Sequence, residues 1–231
     1  MLAVLALGGC SLPTTRIDAE DNRVFLPSFR AAVNLSGEME AASQPREGHA
    51  IEFGIARARG GDRQVLGAGQ SPVVIGNTSF SAPQQLRNDF DFSYAEVSWR
   101  WRKFFPNRSL GLEVLVGLGN PRLDLAVSSA TQQASESFST RGPQAGVGLI
   151  RRLNQDTSIQ ARVSAFVSAY DRGVNELARY EVSLTKAFHE IVTLRAGWAG
   201  WEVKGQSQDG ISDFRLRFSG PTLVLELNFG P

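Results

Sequence analysis

The feature that most constrains this chain is an alternation of apolar with polar or small residues, which recurs from about residue 28 to the end. In one segment Leu110, Leu112, Val114, Val116 and Leu118 alternate with residues that include two glycines and a glutamate. A period of two places successive side chains on opposite faces of a β-strand, and no segment has a helical period of 3.6. The pattern therefore predicts an all-β chain whose strands each have one apolar face.

The same alternation predicts further strands between clusters of turn residues. It occurs within residues 28–37, 49–59, 89–102, 145–149, 159–168, 180–185, 192–198 and 223–229. Residues 64–80 are prone to β-structure but are broken by glycines and Pro72, so their strand is the weakest prediction. The apolar parity changes near residues 219–221, which predicts a β-bulge there.

The predicted connections alternate in length along the chain. Those near residues 104–109, 154–156 and 189–190 are short, whereas those at 120–142, 171–177 and 204–212 are long and polar. Short turns at one end and long loops at the other are typical of an antiparallel up-and-down transmembrane β-barrel. The pattern predicts about ten strands, with eight as the alternative, and both chain ends on the short-turn side.

Composition narrows the classes of function. The chain has 231 residues, a net charge of +1 and 42% hydrophobic residues, which fits one large all-β domain. This charge balance indicates no nucleic-acid partner, and the single cysteine excludes an intramolecular disulfide. No apolar run approaches the roughly 18 residues of a spanning helix, and no cofactor is predicted.

The charged residues of the strands fall on the face opposite the apolar one. A soluble barrel would direct these charges to water, whereas a membrane barrel would direct them inward as ion pairs. We expect Arg162 and Arg195 to pair with Glu113, Glu181 or Glu226. The predicted interior charge network consists of Glu52, Glu96, Arg100, Glu113, Arg162, Glu181, Arg195 and Glu226.

Three further observations favour the membrane barrel. The apolar strands reach the roughly 9–11 residues that a tilted spanning strand needs. Glycine is frequent on the polar face, where a narrow lumen has little space. Aromatic residues gather near both strand ends, as in the two girdles of a membrane barrel: Trp99, Trp101, Phe104, Phe105, Phe188 and Phe229 near the short turns, and Phe90, Phe92, Tyr170, Trp198 and Phe214 near the loops.

Residues 28–229 resemble the small outer-membrane β-barrels of Gram-negative bacteria, with the architecture of the OmpA transmembrane domain and OmpW-like proteins. The last strand, TLVLELNF, resembles the C-terminal signal read by the barrel assembly machinery, although Gly230 and Pro231 follow its aromatic residue. The resemblance implies a monomer in the bacterial outer membrane, among its lipids and lipopolysaccharide.

The N-terminal residues Leu7-Gly8-Gly9-Cys10 resemble the lipobox of bacterial lipoproteins. The resemblance implies that residues 1–10 are a signal peptide ending at a lipidated Cys10, and Ser11 at the next position implies the outer membrane. Residues 11–27 lack periodicity and are predicted to be a periplasmic tether before a barrel at 28–231. The alternative is a free cysteine in a small apolar turn.

These features predict an outer-membrane protein with a narrow or plugged lumen and a structural, envelope or surface-interaction role, and not an enzyme. Three alternatives stay open. A small channel could pass ions or hydrophobic solutes, and a lipocalin-like lipoprotein could bind an apolar ligand. An outer-leaflet enzyme could use His49 with Asp89 and Asp91, which are predicted to meet at the loop end as a general-base or metal cluster.

Overall fold

The computed structural model describes residues 15–19, 26–37, 47–70, 72–75, 77–106, 109–168, 173–188, 191–206 and 212–228. The all-β prediction is confirmed, because these residues form strands and connections only. The strands are β1 Thr15–Ala19, β2 Ser28–Gly37, β3 Glu47–Leu66, β4 Val73–Ile75, β5 Thr78–Phe80, β6 Gln84–Phe104, β7 Leu110–Ser128, β8 Gln133–Ser139, β9 Gly142–Arg152, β10 Thr157–Val167, β11 Gly173–Ala187, β12 Val192–Gln206 and β13 Ser212–Asn228.

Eleven of these strands form one large sheet, and β4 and β5 form a separate hairpin. Eight strands pair antiparallel in the order β3, β6, β7, β9, β10, β11, β12 and β13. The short strand β8 pairs with residues 122–128 of β7. On the other side of β3, β2 pairs antiparallel with β3 and parallel with β13. The hydrogen-bonded pairs therefore start at β2, pass through nine strands to β13 and lead from β13 back to β2. We call this series of strands the nine-strand circuit.

The parallel pairing differs from the all-antiparallel order of ten or eight strands that the sequence predicts. A circuit with an odd number of strands requires one parallel pair, and β2 beside β13 is that pair. β1 extends the parallel pairing along β13, since Thr15–Ala19 pair in parallel with residues 212–216. Part of the predicted tether is thus a strand, and Leu26 next to β2 is fully buried.

The parallel pairing also corrects the predicted position of the chain ends. Thr15 lies beside Ser212, at the end of the sheet that carries the long connections. Asn228 lies at the opposite end, which carries the short turns between β6 and β7, β9 and β10, and β11 and β12. Over the described residues the two ends of the chain are therefore on opposite sides of the sheet, not together.

The sheet has two halves with opposite polarity. In the half near the short turns, here called the turn half, the exposed face is apolar and the buried face is charged. We call the exposed apolar residues the belt: Phe53, Ile55, Val97, Trp99, Val116, Leu118, Val147, Leu149, Val163, Tyr180, Val182, Leu184, Trp198 and Leu223. Their exposure is unusual, because monomeric soluble proteins rarely expose contiguous apolar surface of this extent.

In the other half, here called the crown, the polarity is reversed. Its exposed face carries charged side chains such as Arg57, Arg59, Arg122 and Lys204. Its buried face is an apolar core, covered by Val73, Ile75 and Phe80 of the β4–β5 hairpin. That core includes Phe90, Phe92, Tyr94, Leu123, Leu125, Val127, Phe138, Phe166, Trp201, Leu216 and Phe218.

This reversal explains why the predicted bulge at residues 219–221 is wrong. β13 pairs with β12 in continuous register from Val192↔Leu227 to Gln206↔Asp213. Leu216, Phe218, Val224 and Glu226 all lie on its buried face. The same alternate residues stay buried along the whole strand, but the buried residues change from apolar to charged. In the sequence, the apolar residues therefore move from even to odd positions without a bulge.

The crown also corrects two other predictions, and it contains the interrupted β-structure predicted for residues 64–80. Residues 120–142 are not a loop, because β7 continues to Ser128 and β8 returns beside it. Residues 64–80 contain the end of β3 and the β4–β5 hairpin. Phe90 and Phe92 belong to the crown core and not to an outer aromatic girdle, whereas Trp99, Phe105, Phe188 and Trp198 are exposed.

Candidate functional site: a buried charge cluster

The buried face of the turn half brings together charged side chains from eight strands. Nine of them are at most 4% exposed, and Glu96 and Arg102 at the margins are more accessible. We call this set the charge cluster: Arg30 on β2, Glu52 on β3, Glu96, Arg100 and Arg102 on β6, Glu113 on β7, Arg162 on β10, Arg179 and Glu181 on β11, Arg195 on β12, and Glu226 on β13.

Glu52 is the centre of the charge cluster. Its carboxylate accepts hydrogen bonds from Arg30 Nη1 at 2.8 Å and Arg162 Nη1 at 2.6 Å. It also accepts from Arg100 Nη1 at 3.1 Å and Arg195 Nη2 at 3.2 Å. One carboxylate on β3 thereby links four other strands, and these charge-assisted bonds are the stronger kind of hydrogen bond.

Glu113 forms a second centre on β7. Arg162 Nε donates to it at 2.8 Å, and Arg102 Nη2 donates at 3.0 Å. Gln160 Nε2 donates at 2.6 Å, while the Gln160 carbonyl oxygen accepts from Arg195 Nη1 at 2.6 Å. Gln160 therefore extends the network between β7 and β12 without adding a charge.

The remaining carboxylates of the charge cluster are also paired. Glu226 accepts two bonds from the Arg100 guanidinium, at 2.7 and 3.1 Å. Glu181 accepts from Arg30 and from Arg179. Arg179 also donates to Glu96 at 2.9 Å. Each of the five glutamates thus has an arginine partner, which offsets part of the cost of removing charges from water.

A glycine makes room for these long side chains. A Cβ atom added at Gly54 would lie 2.8 Å from Cγ of Arg30 and 2.7 Å from Cγ of Glu96. Both distances are shorter than carbon atoms tolerate, so a larger residue would displace the cluster. This requirement gives a physical reason for glycine on the polar face of β3.

A polar layer separates the charge cluster from the crown core. Tyr94 Oη donates to Gln144 at 2.6 Å, and Gln144 Nε2 donates to Ser98 at 2.7 Å. The Arg179 guanidinium lies 4.8 Å from the Trp201 ring centroid, a cation–π contact. The buried side chains therefore pass from charged through polar to apolar along the length of the sheet.

The charge cluster is suited to linking the strands and filling the space between them, and it is less suited to catalysis. A general acid or base needs a proton that it can exchange with a substrate, and each glutamate of the cluster instead accepts bonds from arginine. Four of these glutamates are at most 3% exposed. The charge cluster thus fills the space between the strands and holds them together through ion pairs.

The structure brings all eight predicted network residues into the charge cluster. The predicted partners Arg162 and Glu113 lie 2.6 Å apart, and Arg195 and Glu226 lie 3.5 Å apart. Sequence reasoning did not assign Arg30, Arg102 and Arg179 to the network. The available signal was parity. Arg102 and Arg179 share a strand face with Arg100 and Glu181, and Arg30 lies on the polar parity of β2, opposite Gly54.

The structure does not bring the candidate catalytic residues together. His49 pairs with Trp101 at the turn end and stacks on Trp99 with ring centroids 5.3 Å apart. Asp91 pairs with Arg59, ten residues further along β3, which is about 33 Å at about 3.3 Å per residue. The prediction that His49 lies at the loop end is therefore wrong, and Asp89 and Asp91 instead pair with arginines.

The described residues contain no cluster of three or more histidine, cysteine or acidic side chains placed to hold a metal ion. Cys10, Tyr170 and Phe229 lie outside the described residues. Among the residues that the structure describes, no helix is long and apolar enough to cross a membrane. Comparison with protein-family models, curated proteins and solved structures gives no match.

Proposed function

We propose that the large sheet closes into a β-barrel whose turn half spans the bacterial outer membrane and whose crown projects from the surface. The charge cluster fills its lumen, so the protein serves as a non-conducting structural element that presents the crown. The observation that carries this proposal is the reversal of polarity, with charges buried beside the belt and apolar residues buried beside the charged crown surface.

Burial energetics favour a membrane around the turn half. In water, the turn half would expose large apolar side chains and bury ions, and both arrangements are unfavourable. In a bilayer, lipid covers the belt, and the buried charges have partners in the lumen. The crown has the ordinary polarity of a water-soluble domain, so it suits the aqueous side.

The dimensions of the belt also support the proposal. On β7 the exposed apolar stretch runs from Leu110 to Leu118. About nine residues at about 3.3 Å each, tilted by about 40°, span a height of roughly 23 Å. The apolar band of outer-membrane barrels is about 25 Å tall.

Cysteine labelling on one face of β7 tests the membrane assignment. Val116 and Arg122 are both exposed on this face, at 52% and 60%, one in the belt and one in the crown. In a Cys10→Ala background, we expect Val116→Cys to react with a lipid-soluble maleimide and Arg122→Cys with a water-soluble one. A lipocalin-like soluble protein would react with the water-soluble reagent at both positions, and this result would refute the proposal.

Conductance in planar bilayers tests the filled lumen. The buried charge cluster and crown core predict no stepwise openings for the full chain. Reproducible openings of the purified wild-type protein would favour the small-channel alternative over a structural role.

A further inference from the structure

The crown has an arginine-rich flank directly above the belt on β3, β6 and β7. The register gives one cross-strand row of Ile55, Ala95 and Asn120, then a row with Arg57, Ser93 and Arg122, and then a row with Arg59, Asp91 and Asp124. Arg57, Arg59 and Arg122 are 60–69% exposed. Their guanidinium groups therefore lie on the outer surface, above the apolar residues of the same strands.

These rows lie at the depth of lipid headgroups. Successive rows on one face are two residues apart, or about 5 Å in height for strands tilted by about 40°. The headgroup region of one leaflet is about 5–8 Å thick. With the belt in the proposed membrane, the Arg57–Arg122 row falls about 5 Å above the last belt row, within the headgroup region, and the Arg59 row falls about 10 Å above it, at the outer edge of that region.

The ion pairs of this flank orient the arginines and leave donors available. Arg59 uses Nε on Asp91 at 2.7 Å, and Arg122 uses Nε on Asp124 at 3.4 Å. Arg57 uses Nε and Nη2 on Asp91. These contacts engage Nε of Arg59 and Arg122, and the terminal nitrogens of a guanidinium suit a phosphate.

The opposite flank, on β12 and β13, is arranged differently. There Glu202 is shared by Arg215 at 2.6 Å, Arg217 at 3.7 Å and Lys204 at 3.7 Å. Arg215 is only 26% exposed. The three cations of this flank are 26–48% exposed, less than the 60–69% of the arginine-rich flank, so the two flanks differ in their capacity for an anion.

We propose that Arg57, Arg59 and Arg122 bind the phosphate group of an anionic membrane lipid whose acyl chains lie on the belt below them. This inference rests on the proposed membrane function and names its lipid partner class. Arginine clusters near a bilayer attract anionic headgroups, at a factor of about five in affinity for each cation. Ile55, Val97 and Leu118 supply the apolar surface beneath the phosphate.

Lipid retention by the full-length protein tests the inference. The protein is reconstituted in phosphatidylcholine bilayers containing phosphatidic acid, extracted and washed, and its retained lipids are quantified. We expect enrichment of phosphatidic acid by the wild type, and a loss of about fivefold or more in the variant R57Q/R59Q/R122Q. The control variant K204Q/R215Q/R217Q on the opposite flank should retain the enrichment.

Two further measurements separate the outcomes. Inorganic phosphate should leave the thermal midpoint in detergent unchanged, and protection by phosphate without lipid enrichment would identify a soluble ligand and overturn the inference. Equal enrichment by both variants and the wild type would also overturn it. Val116→Cys labelling is measured on the same preparations, so a lipid-labelled belt without enrichment refutes this inference alone, and an unlabelled belt refutes the membrane proposal.

Discussion

Glu52 is the residue on which most of the buried ion pairs converge, and its charge is balanced by arginines of β2, β6, β10 and β12. The substitution Glu52→Gln keeps the size of the side chain and removes its charge, so four buried guanidinium groups lose a shared partner. Removing one partner of a buried ion pair costs about 3–5 kcal/mol. We expect a marked fall in the temperature at which the folded band disappears when samples are heated to a series of temperatures before electrophoresis.

The control for Glu52 is Glu202, which also pairs with several cations but lies at the crown surface. Surface ion pairs contribute about 1 kcal/mol or less, so Glu202→Gln should change the transition only slightly. Equal effects of the two substitutions would show that the buried cluster is not the main determinant of stability.

Asp91 gives a pH dependence that is confined to the crown. The hydrogen bond from Arg57 lowers the pKa of Asp91 below its ordinary value, and Arg59 acts in the same direction. A lowered pKa in the folded state stabilises the fold above the unfolded pKa, and this contribution is lost as the pH falls through the folded value. The thermal midpoint should therefore fall on acidification, and Asp91→Asn should show a smaller fall over the same range.

At the residue scale, strand parity predicts eight of the eleven members of the charge cluster and misses Arg30, Arg102 and Arg179. It does not predict which of them pair. Arg30 and Glu181 are 151 positions apart, and they meet only because β2 and β11 face each other across the buried space. Contacts of this kind depend on the pairing of strands that are distant in the sequence, which no local pattern encodes.

At the scale of the element, the parallel pairing of β13 with the N-terminal segment, here called the seam, depends on one glycine. A Cβ atom at Gly220 would lie 2.6 Å from the carbonyl carbon of Leu26, too close for the backbone to remain in place. Gly220→Val should therefore loosen the seam and increase hydrogen exchange in residues 26–37. The amide of Leu26, which donates to the Ser219 carbonyl at 3.1 Å, is the most direct reporter.

Gly200 provides the matched control for Gly220. It lies on the neighbouring strand β12, opposite Ser219, and an added Cβ would meet no atom within 4 Å. Gly200→Val should leave exchange in residues 26–37 unchanged. An increase of similar size in both variants would indicate a general loss of strand stability and not a clash at the seam.

Strands such as β10 are predictable from sequence because their outer residues stay apolar over the whole alternating segment. β7 and β13 are not, because each strand crosses from the turn half to the crown. Asn120, Arg122 and Asp124 continue the exposed face of β7 beyond Leu118. Because they are polar, the sequence pattern there is the same as that of a loop. A strand that changes its surroundings midway cannot be delimited by hydrophobic pattern alone.

At the scale of the whole molecule, the parallel seam sets the sidedness of the chain. Thr15 lies at the crown end and Asn228 at the turn end, so the two should face opposite sides of the proposed membrane. In a Cys10→Ala background, an impermeant maleimide added to intact cells should label only one of Thr15→Cys and Asn228→Cys. Labelling of both, with permeabilised cells as the reference, would contradict the parallel seam.

The charge cluster has a consequence for how the molecule is assembled. Arg30 comes from the first strand of the nine-strand circuit, and its partners Glu52 and Glu181 come from strands that follow it by 22 and 151 positions. A sheet that entered lipid one hairpin at a time would carry arginines and glutamates whose counter-ions had not yet arrived. Each unpaired ion would oppose that step strongly. Insertion of the proposed barrel should therefore be concerted, with the strands paired with one another before they enter the bilayer.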